Sequence, residues 1–202
     1  MSGGSANNRD WLASRRSGSL VAMLTHRLAT QADIPALRTL MALAIDRLQL
    51  GFLDEHTIAA SRAVMGLDTQ LIADGTYFVI EARGVLAGCG GWSRRATLFG
   101  GSHTAARDDT LLDPSREPAR VRAMYTDPAF VRRGVGRLVL QLGEAAAASE
   151  GFARAELAAT LAGVPLYTAC GWTVIEPFQS APIDGVCVPL VRMGKRLVSS
   201  PA

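Results

Sequence analysis

The sequence predicts a single α/β domain of the α+β type, and two observations carry that prediction. Short β-rich runs bounded by Gly, Asp and Pro are interspersed with longer segments whose apolar residues recur every three or four positions. Hydrophobic residues make up 49% and charged residues 19% of the 202, a globular composition in a chain of one-domain length, since a domain takes about 100–200 residues. No apolar run reaches the roughly 18 residues needed to cross a bilayer, because each is interrupted by Arg, Asp, Glu or Gly. The expectation is a cytoplasmic protein with no membrane partner.

Residues 1–22, MSGGSANNRDWLASRRSGSLVA, have no sustained period and lack the apolar stretch of a secretory signal. They are expected as a disordered tail, with Met23 as an alternative start, 23–198 as the folded domain and 199–202 as a short C-terminal tail. LTHRLAT reads as a strand. TQADIPALRTLMALAIDRL reads as a helix, with Thr30 as cap, Asp33 three residues on and Pro35 in the first turn. Its expected apolar stripe is Leu37, Leu40, Met41, Leu43, Ala44 and Leu48. A second helix runs through LDEHTIAASRAVMG and stops near Gly66.

Strands at 77–82 and 85–93 form a hairpin through Arg83-Gly84. Gly88, Gly90 and Gly91 in the second strand predict a bulge or the close approach of another backbone or a ligand. Residues 96–118 read as a long connection of functional or mobile character. ARVRAMYT is a strand, and a helix from Gly134 to Ser149 buries Val135, Leu138, Val139, Leu142 and Ala146 before Gly151 ends it. FARAELAAT is a strand, VPLYTAC a short helix, and WTVIEPF and VCVPLVRMGKRL are closing strands.

Cys89, Cys170 and Cys187 are widely spaced and include no CxxC pair, and His26, His56 and His103 have no metal-ligand spacing, so neither a disulfide framework nor a metal is expected. The net charge is only +3. The basic residues gather at Arg132, Arg133 and Arg137, with a second group at Arg15 and Arg16, which points to a local anion site and not to nucleic acid.

The stretch DPAFVRRGVGRLVL, residues 127–140, follows a strand and opens a helix. Backbone N–H groups there converge under the positive end of a helix dipole, glycine lets an anion approach closely, and arginine adds charge-assisted bonds. It is not a Walker loop, since the only Gly-Lys pair, Gly194-Lys195, is followed by Arg196. As a dinucleotide fingerprint it lacks the third glycine, where Val139 stands, and that reading is the weaker rival.

VRRGVGR resembles the pyrophosphate loop of the GNAT N-acetyltransferase superfamily, [QR]xxGx[GA], with Val131 where Gln or Arg is usual. RAMYTDPAF resembles that family's fourth strand and turn, and PLYTACGW its later Tyr, Gly, aromatic segment. The resemblance covers nearly the whole chain from Leu24 to Leu197. It implies a mixed, mostly antiparallel central sheet flanked by helices.

It also implies transfer of an acetyl group from acetyl-CoA to a primary amine by direct attack. Met124, Tyr125 and Thr126 would hold acetyl-CoA by main chain. Arg132, Arg133, Gly134, Val135, Gly136 and Arg137 would wrap the pyrophosphate, Tyr167 would act as general acid, and Thr160 would stand where relatives carry Asn. The partners implied are acetyl-CoA and an amine acceptor, with a homodimer left open.

No motif assigns a base; Glu81, Glu156, Asp127 and His103 are candidates by residue type. A chain that binds acyl-CoA without turnover, as a sensor, is the alternative. Trp92 and Trp172 are expected in the core, Arg94-Arg95 as a solvated pair, and Arg122 either beside the cofactor cleft or facing solvent.

Overall fold

The computed structural model describes residues 24–104 and 107–198; the tails expected at 1–22 and 199–202 lie outside the described residues. The elements follow the order β1 (Leu24–Leu28), α1 (Ile34–Leu48), α2 (Glu55–Val64), α3 (Thr69–Ala73), β2 (Tyr77–Ala82), β3 (Val85–Ser93) and β4 (Ala119–Thr126). After them come α4 (Val135–Ser149), β5 (Arg154–Thr160), α5 (Val164–Ala169), β6 (Thr173–Gln179) and β7 (Pro189–Arg196). The strands make one sheet in the order β1-β2-β3-β4-β5-β7-β6, in which only β4 and β5 run parallel. This is the mixed, mostly antiparallel sheet expected.

Thr30 and Asp33 form the expected start of the first helix, the Asp33 carboxylate accepting from the Thr30 N–H at 2.7 Å and from its hydroxyl at 2.9 Å. The stripe of α1 is Leu37, Leu40, Met41, Ala44 and Ile45; Leu43, assigned to it from the sequence, stands exposed. Helices α1 and α3 cover one face of the sheet, where their apolar residues pack with Tyr77, Val79, Cys89 and Tyr125, while Ala60 and Val64 of α2 pack with Val188. On the other face α4 sets Val135 and Val139 against Ile80, Ala82 and Ala87.

The glycines of β3 make that seat. A Cβ on Gly90 would lie 2.6 Å from Val139 Cγ1, so the close approach read from the sequence is that of α4. Trp92 and Trp172 are core residues, as expected, each 1% exposed.

The short helix α3 has no counterpart in the sequence reading. Five residues are too few to show a period, and what holds them is tertiary: Leu71 and Ile72 are buried, and Asp68 caps the Gln70 N–H at 3.1 Å. Arg94 and Arg95 are not a solvated pair. Arg95 grips Asp74 through two nitrogens at 2.8 and 3.0 Å, which holds that carboxyl below its usual range. Arg94 meets Glu150 at 2.6 Å and lies over the Trp92 ring.

Candidate active site

Two features of β4 shape the site. The first is that it separates from β5. The two strands pair only at Ala119↔Ala155 and Arg120↔Glu156, after which β4 pairs with β3 alone and β5 with β7 alone. Main-chain groups of Val121–Thr126 and Leu157–Thr160 on the inner edges therefore face a widening gap instead of each other.

The second is a bulge. The register against β3 slips between Cys89↔Tyr125 and Gly91↔Arg122, giving β4 one extra residue. Ala123 takes a φ of +52°, in the left-handed region, and the buried Tyr77 hydroxyl fixes it by donating to the Ala123 carbonyl at 2.7 Å. Burial pushes the Cys89 thiol up to about 12, against the opposing pull of its polar contacts with the Tyr77 hydroxyl, 3.2 Å away, and the Tyr125 backbone. The thiol is therefore an inert support of the bulge.

The gap opens into a cleft of about 650 Å³ on the α4 side. Met124, Tyr125, Thr126, Arg132, Gly134, Val135, Gly136, Arg137 and Tyr167 all line it. Arg133 is the exception among the expected site residues: it lies over the Phe130 ring, 5.3 Å from its centroid.

The expected glycine turn divides into two jobs. Gly134 caps α4 with a φ of +87°, and a Cβ there would meet no protein atom within 4 Å. Its demand is for left-handed backbone and open space above. Gly136 is needed for packing, because its Cβ would stand 2.6 Å from Leu166 Cδ2 of α5.

No side chain caps α4, so the first-turn N–H groups remain to face the cleft. Arg132, Arg133 and Arg137 are exposed and have no carboxylate partner among the described residues. Unclaimed main chain along the cleft, an uncapped helix start and unpaired guanidinium groups at its end fit an extended ligand with amide groups and a polyanionic terminus.

A smaller cavity of about 90 Å³ lies on the other side of the same gap, under Phe99 and Gly100 of the 96–118 connection. Met65, Met124, Tyr125, Thr160 and Tyr167 line both spaces. Tyr167 thus stands where they meet. Its ring packs edge-on to Trp172, and its hydroxyl has only the Met124 sulfur near it, at 3.9 Å. Burial, with a smaller contribution from Cys170, pushes the phenol up to about 12, so it keeps its proton.

None of the base candidates reaches either space. Glu81 pairs with Arg27, Glu156 is held by Arg120 and Arg192, Asp127 accepts from the Ala129 N–H at 2.7 Å, and His103 Nε2 lies 2.9 Å from the Ala63 carbonyl. No Asp, Glu or His is among the described residues lining the two spaces.

Of the two positions read for Arg122, the solvent-facing one is corrected: the bulge breaks its alternation with Met124 and Thr126, and it is buried against Asp68 beside the small cavity. The sequence reading missed Phe99, Gly100 and the α1 residues Ile45, Leu48 and Gln49 as lining; only the length of the 96–118 connection signalled the first two.

A family comparison matches residues 39–172 to the acetyltransferase (GNAT) family. The chain belongs to that family. Its fold is similar to that of a GCN5-related N-acetyltransferase from Rhodopseudomonas palustris, at 17% identity and a TM-score of 0.63, over 86% of this chain and 95% of that one. It is also similar to yncA from Salmonella typhimurium, solved with its cofactor acetyl-CoA, at 21% identity and a TM-score of 0.56, over 89% and 96% of the two chains.

The paiA N-acetyltransferase of Thermoplasma acidophilum, in complex with coenzyme A, matches at 13% identity and a TM-score of 0.57, over 86% and 99%. No curated protein matches the sequence. No described helix of this GNAT chain is long and apolar enough to cross a membrane.

Proposed function

We propose that this GNAT protein transfers an acetyl group from acetyl-CoA to a primary amine by direct attack, with Tyr167 as general acid. The observation that carries the reading is the position of Tyr167, which lines both the large cleft and the small cavity and has a hydroxyl engaged by nothing stronger than a thioether. Acetyl-CoA, when bound, supplies an acyl group activated as a thioester. Main chain of Met124, Tyr125 and Thr126 would hold its amide-bearing arm along the gap. The N–H groups of Val135, Gly136 and Arg137, with the guanidinium groups of Arg132 and Arg137, would hold the pyrophosphate, while Arg133, over Phe130, stands outside the cleft.

In the transfer, a bond forms from the amine nitrogen to the carbonyl carbon and the carbon–sulfur bond breaks. Tyr167 gives its proton to the departing sulfur and regains one from solvent, while the proton lost by the amine leaves to water. A backbone N–H of β4 near Tyr125 would serve the negative charge on the carbonyl oxygen.

Because no carboxylate or imidazole among the described residues lines the site, deprotonation of the acceptor is assigned to the medium. Activity is expected to rise with pH toward the acceptor's own pKa. The phenol, raised to about 12, gives no falling limb within the usual assay range.

Thiol release with a panel of amines tests the reading. Tyr167→Phe is expected to lower kcat by about 10²-fold or more with little change in CoA affinity. CoA binding without thiol release on any amine would favour the sensor; an unchanged kcat would remove Tyr167 from the mechanism.

A further inference from the structure

The small cavity borders an unbalanced buried charge. Arg122 is 4% exposed and Asp68 is 0% exposed, with Arg122 Nη1 2.7 Å from Asp68 Oδ2. Arg107 brings a second guanidinium to the same carboxylate oxygen, at 3.0 Å. The other acid near Arg107, Asp109, is solvent-exposed and 3.5 Å away. Two arginines therefore share one fully buried carboxylate.

Structural ties account for part of Arg122 only. Nη1 meets Asp68, and Nη2 donates to the Gly100 carbonyl at 2.8 Å, pinning the 96–118 connection over the cavity. Nε is buried with no hydrogen-bond partner among the described residues, and Asp68 Oδ2, although at ion-pair distance from both guanidinium groups, has no hydrogen bond of sound geometry either. A buried donor without an acceptor is unusual enough to require an explanation. Burial lowers the Arg122 pKa; Asp68 is the largest influence against that lowering, Arg107 adds to it, and Asp109 opposes it from farther off.

Among the described residues lining the small cavity, Arg122 alone is charged. The other walls include Val64, Phe99, Val121, Leu157 and Leu190. A protonated amine with no anion of its own would meet positive charge and no acid there. A compact molecule carrying a carboxylate would supply the missing anion.

We propose that the acceptor is a small amino acid or a close analogue, its carboxylate received by Arg122 and its amino group directed toward Tyr167, with room for a short apolar side chain. This deepens the acetyl-transfer reading and rests on it for the role of the cavity.

The test is equilibrium binding to the CoA-loaded protein, which needs no turnover. N-acetylglycine, N-acetylalanine and N-acetylvaline are each titrated against their own primary amides by calorimetry. At least one acid is expected to bind about ten-fold or more tightly than its amide, as a charge-assisted pair predicts. Two variants locate the preference. In the double variant Asp68→Asn with Arg122→Gln, which replaces both charges by neutral amides so that neither is left buried alone, it is expected to fall to within about two-fold. In Arg107→Gln, where Arg122 keeps its partner but the excess charge is gone, it is expected to weaken.

Equal binding of acid and amide, binding of neither, or a preference that survives in both folded variants overturns the proposal. Thiol release with free amines is read separately. Acid preference without turnover keeps the carboxylate site and rejects acetyl transfer, whereas turnover without acid preference does the opposite.

Discussion

The large cleft and the small cavity meet at the same tyrosine, yet they are walled differently. The cleft is edged by main chain of a splayed strand, an uncapped helix start and exposed arginines. The cavity is walled by apolar side chains and one buried arginine whose charge is tied to residues distant in the sequence. The first surface is built from a contiguous stretch and is open to solvent, so its groups cost little to leave unpaired. The second carries its charge on a buried side chain, so each polar group of that side chain must be matched or must await a ligand.

That difference sets what substitutions should do. The largest expected effect lies on the buried side: Asp68→Ala leaves two guanidinium groups without their shared carboxylate and should cost about 3–5 kcal/mol of stability by denaturant unfolding. A loss below about 1 kcal/mol would show that the pair is solvated and erase the contrast.

Next comes the open side. Gly134→Val places a β-branched residue at a φ of +87° and fills the space above the turn, with an expected loss of about 100-fold in CoA affinity by calorimetry. Because a Cβ there meets no protein atom, Gly134→Ala should retain the fold and lose less. Unchanged CoA affinity in Gly134→Val would break the pyrophosphate assignment.

The smallest effect distinguishes two neighbours. Arg132 lines the cleft and Arg133 lies over Phe130, so Arg133→Ala should weaken CoA binding by no more than about three-fold, and less at high salt, while Arg132→Ala weakens it more. The reverse order would place Arg133 at the pyrophosphate.

Much of the site was legible where it is local. The turn DPAFVRRGVGRLVL contains its own strand exit, cap and basic groups, and PLYTACGW puts Tyr167 on a helix that follows directly on β5. Leu43 was misread because a stripe of period 3.6 drifts around a helix, and Ile45, not Leu43, turned toward the sheet. Arg122 was misread because one extra residue in β4 reverses the faces of everything after it, and a bulge has no composition of its own. The base candidates were plausible by residue type alone; their partners, Arg27, Arg120 and Arg192 among them, come from other strands.

The amino-acid sequence by itself determined the element order apart from α3, the β2–β3 hairpin and the glycine-capped helix, because each depends on periodicity, turn chemistry or near neighbours along the chain; the candidate proton donor came from the resemblance to the GNAT family. Only the tertiary structure decided that Gly136 serves the packing of α5, that the 96–118 connection roofs a second cavity, and that Arg122 and Arg107 converge on Asp68. Those facts follow from which distant residues come into contact and which lose water, and burial and pairing are properties of the folded whole.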